Sequence, residues 1–312
     1  MLDYSIIIPV YCNEGTLLKG YEIIKKKVLD KNPNLTGEVI YCDDGSSDNS
    51  FEELKNLKRA YHKENIKIIK FSRNFGQAAG VYAGLKNGKS KSYIIMSADL
   101  QDPIELINDF LSFHFNDGFQ IVIGEREGRE DPLASKIIAK IAYRLINKIN
   151  FNNYPLGGID YLLISQKVKS LMLNMNDSNP FWQGEILWTG FPVKFIPYHR
   201  KKRMVGKSKW TISKKITYFI DGVFGFSFFP IRILTLIGFI ISFFGIMYAF
   251  YILIAKILGL GTFVFGWAPI MIVILLLSGF QITMMGILGE YVWRTLAQAK
   301  KRPLYIVETI ID

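Results

Sequence analysis

Along residues 5–125, short runs of β-branched and aliphatic residues alternate with longer stretches whose apolar positions recur at helical spacing. The runs predict strands at Ser5–Val10, Glu38–Cys42, Ile66–Phe71, Ser92–Ser97 and Gln120–Gly124. The stretches predict helices near Gly15–Leu29, Asn49–Lys63, Phe75–Asn87 and Ile104–Asn116. Such alternation argues for parallel βαβ units, hence an α/β fold with an open, doubly wound, mostly parallel sheet. Sheets of this kind bind ligands outside the carboxyl ends of their strands. Polar clusters fall at four of those ends: Tyr11-Cys12-Asn13-Glu14, Asp43-Asp44-Gly45-Ser46, Ser72-Arg73-Asn74 and Asp99-Leu100-Gln101-Asp102. One polar site fed by several strands is the expectation.

The pattern then changes. Leu133–Ile149 sets Ile137, Ile138, Ile141, Leu145, Ile146 and Ile149 on one helical face and Lys136, Lys140, Arg144 and Lys148 on another. This suits either a helix on an anionic membrane surface or one that faces an ordinary core. A second amphipathic stretch, 211–230, leads into Ile233–Ala255, 23 residues without a charge, and Ile257–Gly289 is another 33. A bilayer-spanning helix needs about 20 apolar residues. Two spans are therefore predicted, at 231–256 and 266–289, after a large α/β domain at 1–210 and an interfacial helix at 211–230, with a tail at 290–312.

Composition sharpens this division. The 312 residues are 50% hydrophobic and carry 38 Lys+Arg against 27 Asp+Glu, a net charge of +11. Only 6 of those basic and 3 of those acidic side chains lie in 231–312. The tail argues against a wholly soluble protein. Arg232 precedes the first span and Arg294, Lys300, Lys301 and Arg302 follow the second, which places both termini and the large domain on the cytoplasmic side of a multi-pass inner-membrane protein. The start, Met1-Leu2-Asp3-Tyr4, has no basic region before its short apolar run and does not read as an export signal. Cys12 and Cys42 suit reduced thiols packed in a cytosolic domain.

Several chemistries lose ground. No Gly-x-Gly-x-x-Gly follows the first strand, Gly88-Lys89-Ser90 and Gly206-Lys207-Ser208 lack the upstream glycine of a P-loop, and His62, His114 and His199 have no metal-ligand spacing. Carboxylates, amides and arginines remain. Asp99 and Gln101, two apart at a strand end, can offer oxygen ligands to Mg²⁺ or Mn²⁺, which takes one or two carboxylates together with phosphate oxygens and water. Asp102-Pro103 reads as a helix start. Asp43, Asp44 and Arg73 should share that cleft. Lys194 to Lys215 holds nine basic residues and no acid. Its position between the sheet domain and the first span favours a phosphorylated lipid over nucleic acid, and no free recognition helix carries it. Arg126 and Arg129, after the fifth strand, add planar forks that match phosphate oxygens.

Four motifs in order, Ser5-Ile6-Ile7-Ile8-Pro9-Val10-Tyr11-Cys12-Asn13-Glu14, Asp43-Asp44-Gly45-Ser46-Ser47-Asp48, Ser72-Arg73-Asn74-Phe75-Gly76 and Ser97-Ala98-Asp99-Leu100-Gln101-Asp102-Pro103, resemble those of family 2 inverting glycosyltransferases of the GT-A fold. Arg200-Lys201-Lys202-Arg203-Met204-Val205-Gly206-Lys207-Ser208-Lys209-Trp210, followed by two spans, resembles the polyisoprenyl-phosphate branch. That branch includes dolichol-phosphate mannose synthases and bactoprenol-phosphate glucosyltransferases. The resemblance implies a nucleotide-sugar donor against Pro9, Tyr11, Glu14, Asp43, Asp44, Arg73 and Asp99, and a divalent metal on Asp99 and Gln101. It implies a polyisoprenyl (undecaprenyl) phosphate acceptor, with phosphate contacts from Arg126, Arg129, Arg200, Arg203, Lys207, Ser208 and Lys209. Asp160, in Gly158-Ile159-Asp160-Tyr161, matches the carboxylate near the acceptor phosphate usually cast as the base. A homo-oligomer, with a tetramer as one size, is also implied.

Two departures from the family pattern bear on this. Ser97 stands where many relatives carry Asp, which leaves Asp99 and Gln101 to hold the cation with less charge. Tyr161-Leu162 and Gln183-Gly184 stand where bactoprenol glucosyltransferases often carry arginines, and these positions bear on the sugar. A UDP-hexose such as UDP-glucose is the preferred donor and GDP-mannose the alternative. A transporter or nucleotide-sensing membrane protein is the competing class, but spans almost without ionisable groups offer no pathway.

Overall fold

The computed structural model describes residues 1–127, 158–200, 229–258 and 267–312. The chain forms two compact units, Met1–Gly222 together with Arg302–Asp312, and Val223–Lys301. In the first unit the chain runs β1 (Leu2–Val10), α1 (Leu17–Ile24, prolonged by a π-turn at Lys25–Leu29), β2 (Gly37–Asp43), α2 (Ser50–Ala60), β3 (Ile66–Phe71) and α3 (Gln77–Asn87). It continues through β4 (Ser90–Ile95), α4 (Leu106–Phe115), β5 (Ile121–Arg126), β6 (Leu162–Ser165), α5 (Gln166–Met175), α6 (Trp182–Trp188) and β7 (Val193–Tyr198), and ends with β8 (Val307–Ile311).

One eight-stranded sheet has the order β7-β5-β6-β4-β1-β2-β3-β8. The pairs β1–β2, β1–β4, β2–β3 and β5–β7 are parallel; β4–β6, β5–β6 and β3–β8 are antiparallel. This is the mostly parallel α/β sheet that the strand–helix alternation predicts. Successive residues of a strand face opposite ways, and here both faces are covered. Ile6, Ile8, Val10, Val39, Tyr41 and Ile94 pack in one core with Tyr21, Leu54 and Phe110. On the other face Ile40, Cys42, Ile69 and Phe71 pack with Ala79 and Ala83 of α3. α3 lies so close to β1 that a Cβ on Gly84 would collide with the Ile7 side chain.

The chain leaves β1 to one side through β2 and β3, then crosses back to add β4 on the other. Such a switch point opens a crevice at the carboxyl edge. β4 begins two residues earlier than its hydrophobic pattern suggests, because its polar start is buried and paired. The Ser90 and Ser5 hydroxyls lie 2.7 Å apart, and Ser5 donates to Glu38 at 2.6 Å.

β6, β7 and β8 have no counterpart among the predicted strands. β8 closes the edge beside β3, with Ile68 opposite Ile311 and Lys70 opposite Thr309. Lys70–Glu308 at 2.9 Å, Lys67–Asp312 at 3.0 Å and a Phe71–Tyr305 ring stack at 5.0 Å fix it there. What the sequence presents as a polar tail thus returns to the sheet.

The second unit contains α7 (Phe229–Ile257) and α8 (Trp267–Lys300). Among the described residues, one stretch, Ile231–Tyr248 with mean hydropathy 2.0, is long and apolar enough to cross a membrane. The first expected span therefore has a counterpart; the second, 266–289, is not established by the same measure. Leu236, Phe239, Phe243 and Phe244 of α7 are exposed within the chain. The expected amphipathic helices at 133–149 and 211–230 lie outside the described residues, apart from the start of α7.

α6 carries a buried acid, Glu185, 2% exposed. The Tyr82 hydroxyl of α3 donates to its Oε2, and its Oε1 has no hydrogen-bond partner. Burial raises the Glu185 pKa from 4.5 to about 7. A raised carboxyl pKa means that the folded chain holds a proton the unfolded chain has lost, so stability falls as pH climbs between the two values. We expect the protein to lose on the order of 3 kcal/mol of unfolding free energy from this group between about pH 4.5 and 7. Glu185→Gln should remove that part of the slope; unfolding curves with equal pH slopes in the two proteins would exclude the assignment.

Candidate active site

Each cluster at the carboxyl edge is built by backbone that leaves a strand and is caught by a neighbour. After β1, the Val10 carbonyl accepts the Asp44 N–H at 2.8 Å, and Cys12, at φ 50°, donates its N–H to Ser46 Oγ at 2.8 Å. Glu14 accepts from the Asn49 side chain at 2.8 Å and so ties the β1 loop to the start of α2. Pro9 packs beneath α3, where a Cβ on Gly80 would lie 3.0 Å from it. Tyr11 is half-buried, its N–H on Asn13 Oδ1 at 3.0 Å.

Asp43 and Asp44, adjacent at the end of β2, do different work. Asp44 accepts the N–H groups of Phe75 at 2.6 Å and Gly76 at 2.9 Å, which fixes the turn into α3. Gly45, at φ +63°, runs so close to the same turn that a Cβ there would sit 2.5 Å from the Arg73 carbonyl carbon. Arg73 lies over the Phe75 ring at 4.1 Å. Asp43 is fully buried, and neither of its carboxylate oxygens has a hydrogen bond of normal geometry. Burial pushes its pKa up, and nearby Ser46 opposes this only in part. A buried acceptor left unmatched is costly unless a ligand supplies the donor.

The other half of the site is a cluster of charges. Leu100, at φ 56°, breaks the strand direction after Asp99, and the Gln101 N–H returns to Asp99 Oδ1 at 3.2 Å. Asp102, next in line, does not start the helix, since α4 begins at Leu106. Its carboxylate instead turns to β7, where the Tyr198 hydroxyl donates to Oδ1 at 2.7 Å. Arg200 reaches both acids, with Nη2 3.3 Å from Asp99 and Nε 3.3 Å from Asp102.

β5 and β7 run parallel with Arg126 opposite Tyr198, so the Arg126 Nε–H meets the Tyr198 oxygen at 3.0 Å. β6 lies antiparallel to β5, and its approach delivers Asp160 to the same edge, 2.8 Å from Arg126 Nη2. The chain Asp99–Arg200–Asp102–Tyr198–Arg126–Asp160 is continuous. Burial holds the Asp102 pKa up against the pull of Arg200, Arg126 and Tyr198, whereas Asp160, Tyr198 and Asp102 outweigh burial in raising that of Arg126.

The structure thus joins Asp160 to Arg126 and Asp99 to Arg200, all four expected from sequence. It adds Asp102 and Tyr198, which sequence reasoning missed. One signal was present: Tyr198 is the last residue of an alternating stretch and stands two residues before Arg200. Arg129, Arg203, Lys207, Ser208 and Lys209 lie outside the described residues.

Among the described residues this cluster sets three carboxylates against two arginines. A surplus of hard oxygen donors suits a divalent cation, although no three acidic, His or Cys side chains among the described residues form a self-sufficient metal cage. Asp99 and Gln101 would need a ligand's own oxygens to complete the shell.

Comparison with known proteins agrees with this chemistry. Residues 5–167 match the model of glycosyl transferase family 2. Over 308 residues the chain is 32% identical to the uncharacterized glycosyltransferase YkcC of Bacillus subtilis, covering 98% of this chain and 94% of that one. It is 29% identical over 310 residues to a prophage bactoprenol glucosyl transferase homolog of Escherichia coli, covering 99% of each. It is 28% identical over 308 residues to the bactoprenol glucosyl transferase of Shigella phage SfV, covering 98% of each. With this match, and with the charge cluster at the carboxyl edge of its sheet, the chain belongs to glycosyl transferase family 2 and is a glycosyltransferase.

Proposed function

We propose that this enzyme moves a hexose from a nucleotide diphosphate sugar, UDP-glucose or a related UDP-hexose, to undecaprenyl phosphate at the cytoplasmic face of the membrane. The end-to-end similarity to bactoprenol glucosyl transferases carries this reading, because it extends past the sheet into the apolar helices. The path of the chain supports a membrane protein with both termini on one side. β8 follows the two long helices and pairs with β3 in the same sheet, so any crossing by α7 must be matched by a return. That supports spans at 231–256 and 266–289; an interfacial helix at 211–230 and a homo-oligomer complete the proposal.

The reaction is one displacement at the anomeric carbon. An oxygen of the lipid phosphate forms the new C–O bond, the bond to the diphosphate breaks with its electron pair on the leaving oxygen, and the configuration inverts. Asp43, with its unmatched acceptors, takes donors from the base or ribose, and Pro9, Tyr11, Glu14, Asp44 and Arg73 shape that side. Asp99 and Gln101 would hold Mg²⁺ or Mn²⁺, which neutralises charge on the leaving diphosphate. Arg126 and Arg200, with Arg129, Arg203, Lys207, Ser208 and Lys209, address the two phosphate groups. A phosphate monoester loses its second proton at a pKa of about 6, so Asp160 has little to deprotonate. It orients the attacking oxygen and accepts the proton of the monoanionic fraction.

Purified enzyme with Mg²⁺ or Mn²⁺, undecaprenyl phosphate and radiolabelled UDP-glucose should carry label into the organic phase, and GDP-mannose should do so poorly. No lipid-linked label from any nucleotide sugar would end this reading, and faster transfer from GDP-mannose would reassign the donor. Asp160→Asn should lower kcat by about 100-fold or more with nucleotide binding nearly intact; a variant of near-normal turnover would remove Asp160 from the chemistry. Chelation should abolish transfer and Mg²⁺ or Mn²⁺ restore it, while Asp99→Ala should stay inactive at any metal concentration. Undiminished transfer in excess chelator would exclude the metal.

A further inference from the structure

Tyr198 is buried between two charged groups and touches both through one oxygen. Its hydroxyl has a single proton, and Asp102 Oδ1 at 2.7 Å, a carboxylate oxygen, can only accept it. The lone pair is thereby turned to Arg126, whose Nε–H arrives at 3.0 Å. Arg126 is held a second time by Asp160 Oδ2 at 2.8 Å on Nη2. A guanidinium has five N–H donors in a rigid plane. Fixing Nε and one Nη–H sets that plane and, with it, the direction of each remaining donor.

We propose that Tyr198, oriented by Asp102, is a positioning residue that locks the Arg126 guanidinium against Asp160, so that both meet the reacting phosphate in a fixed geometry. The proposal rests on the glycosyl-transfer reading above and adds to it two residues that do not touch the substrate. Tyr198 lies far from both partners in sequence, yet its strand register, opposite Arg126, gives the contact its direction. Without the hydroxyl, Nε loses its acceptor and the guanidinium turns about its own side chain, still charged but no longer aimed. Misplacement on the scale of an ångström costs a reaction about 100-fold.

Tyr198→Phe isolates this effect, because the ring keeps its edge-on packing on Tyr161, with centroids 5.9 Å apart. In the organic-phase transfer assay, Tyr198→Phe should lower kcat by about 10- to 100-fold and change KM for either substrate by less than about threefold. Arg126→Lys, which keeps the charge but not the fork, should lower kcat as well. The double variant should be no worse than Arg126→Lys alone, because Tyr198 acts through Arg126. Asp102→Asn, approached from the other partner, should lower kcat as well, with a change in KM through its second contact, Arg200, and decides the matter if Tyr198→Phe does not fold. Wild-type kcat in Tyr198→Phe or in Arg126→Lys, losses that multiply in the double variant, or a change in KM alone would overturn the proposal while leaving the transfer reaction in place. A wild-type enzyme inactive with every donor would instead overturn the reaction itself.

Discussion

A carboxylate taken out of water survives only where other groups replace the water, and Asp102, 3% exposed, is where this protein meets that constraint. The penalty for burying an ion is several kcal/mol even after relaxation. Arg200 and Tyr198 offset it directly, and Arg126 does so through the Tyr198 hydroxyl. None of these partners is near Asp102 in the chain. They reach it because β5 and β7 pair in one register and β6 crosses beside them. Removal of one member leaves the others to offset more of that penalty, so the members of the cluster depend on one another.

The two halves of the site reach rigidity by different means. On the β1–β2–β3 side, neutral backbone groups do the work: Asp44 gathers two N–H groups, and Gly45 lets two turns touch. On the β4–β5–β7 side, charges do it. The first arrangement suits a nucleoside, which is recognised by shape and a few directed hydrogen bonds. The second suits groups whose charge changes during reaction, since fixed dipoles and ions need no rearrangement when that charge moves. Glycosyl transfer as proposed above would move its charge over the second half.

Most of the sheet's first five strands can be read from the chain, because each is a short apolar run whose neighbours lie one helix away. The four motifs at their ends could be read for the same reason. β6 and β7 could not: β6 is only Leu162–Ser165, and β7 opens into a basic run whose charge hides its alternation. β8 follows two apolar helices and pairs with β3 across more than two hundred residues, a partnership no local pattern encodes. Asp102 presents itself as a helix start, since Asp before Pro usually is one; its true partner lies 96 residues on. Glu14 and Asp44 read as ligand contacts, and the structure reveals the backbone and side-chain partners that each also serves. Local sequence thus identifies which residues stand at the edge, while long-range register decides which of them touch.

The place of β8 in the chain has a consequence for biosynthesis. Chains emerge from the ribosome in order and fold largely in that order. β1 to β7 can assemble early, but the outer edge of β3 stays bare until both long helices have been made and Val307–Ile311 has followed them. A bare strand edge invites wrong pairing. The sheet is therefore finished only once the apolar helices have been disposed of, so a chain whose helices fail to reach their proper surroundings would also carry an unfinished catalytic sheet. Completion of the helices and completion of the sheet would then be one event.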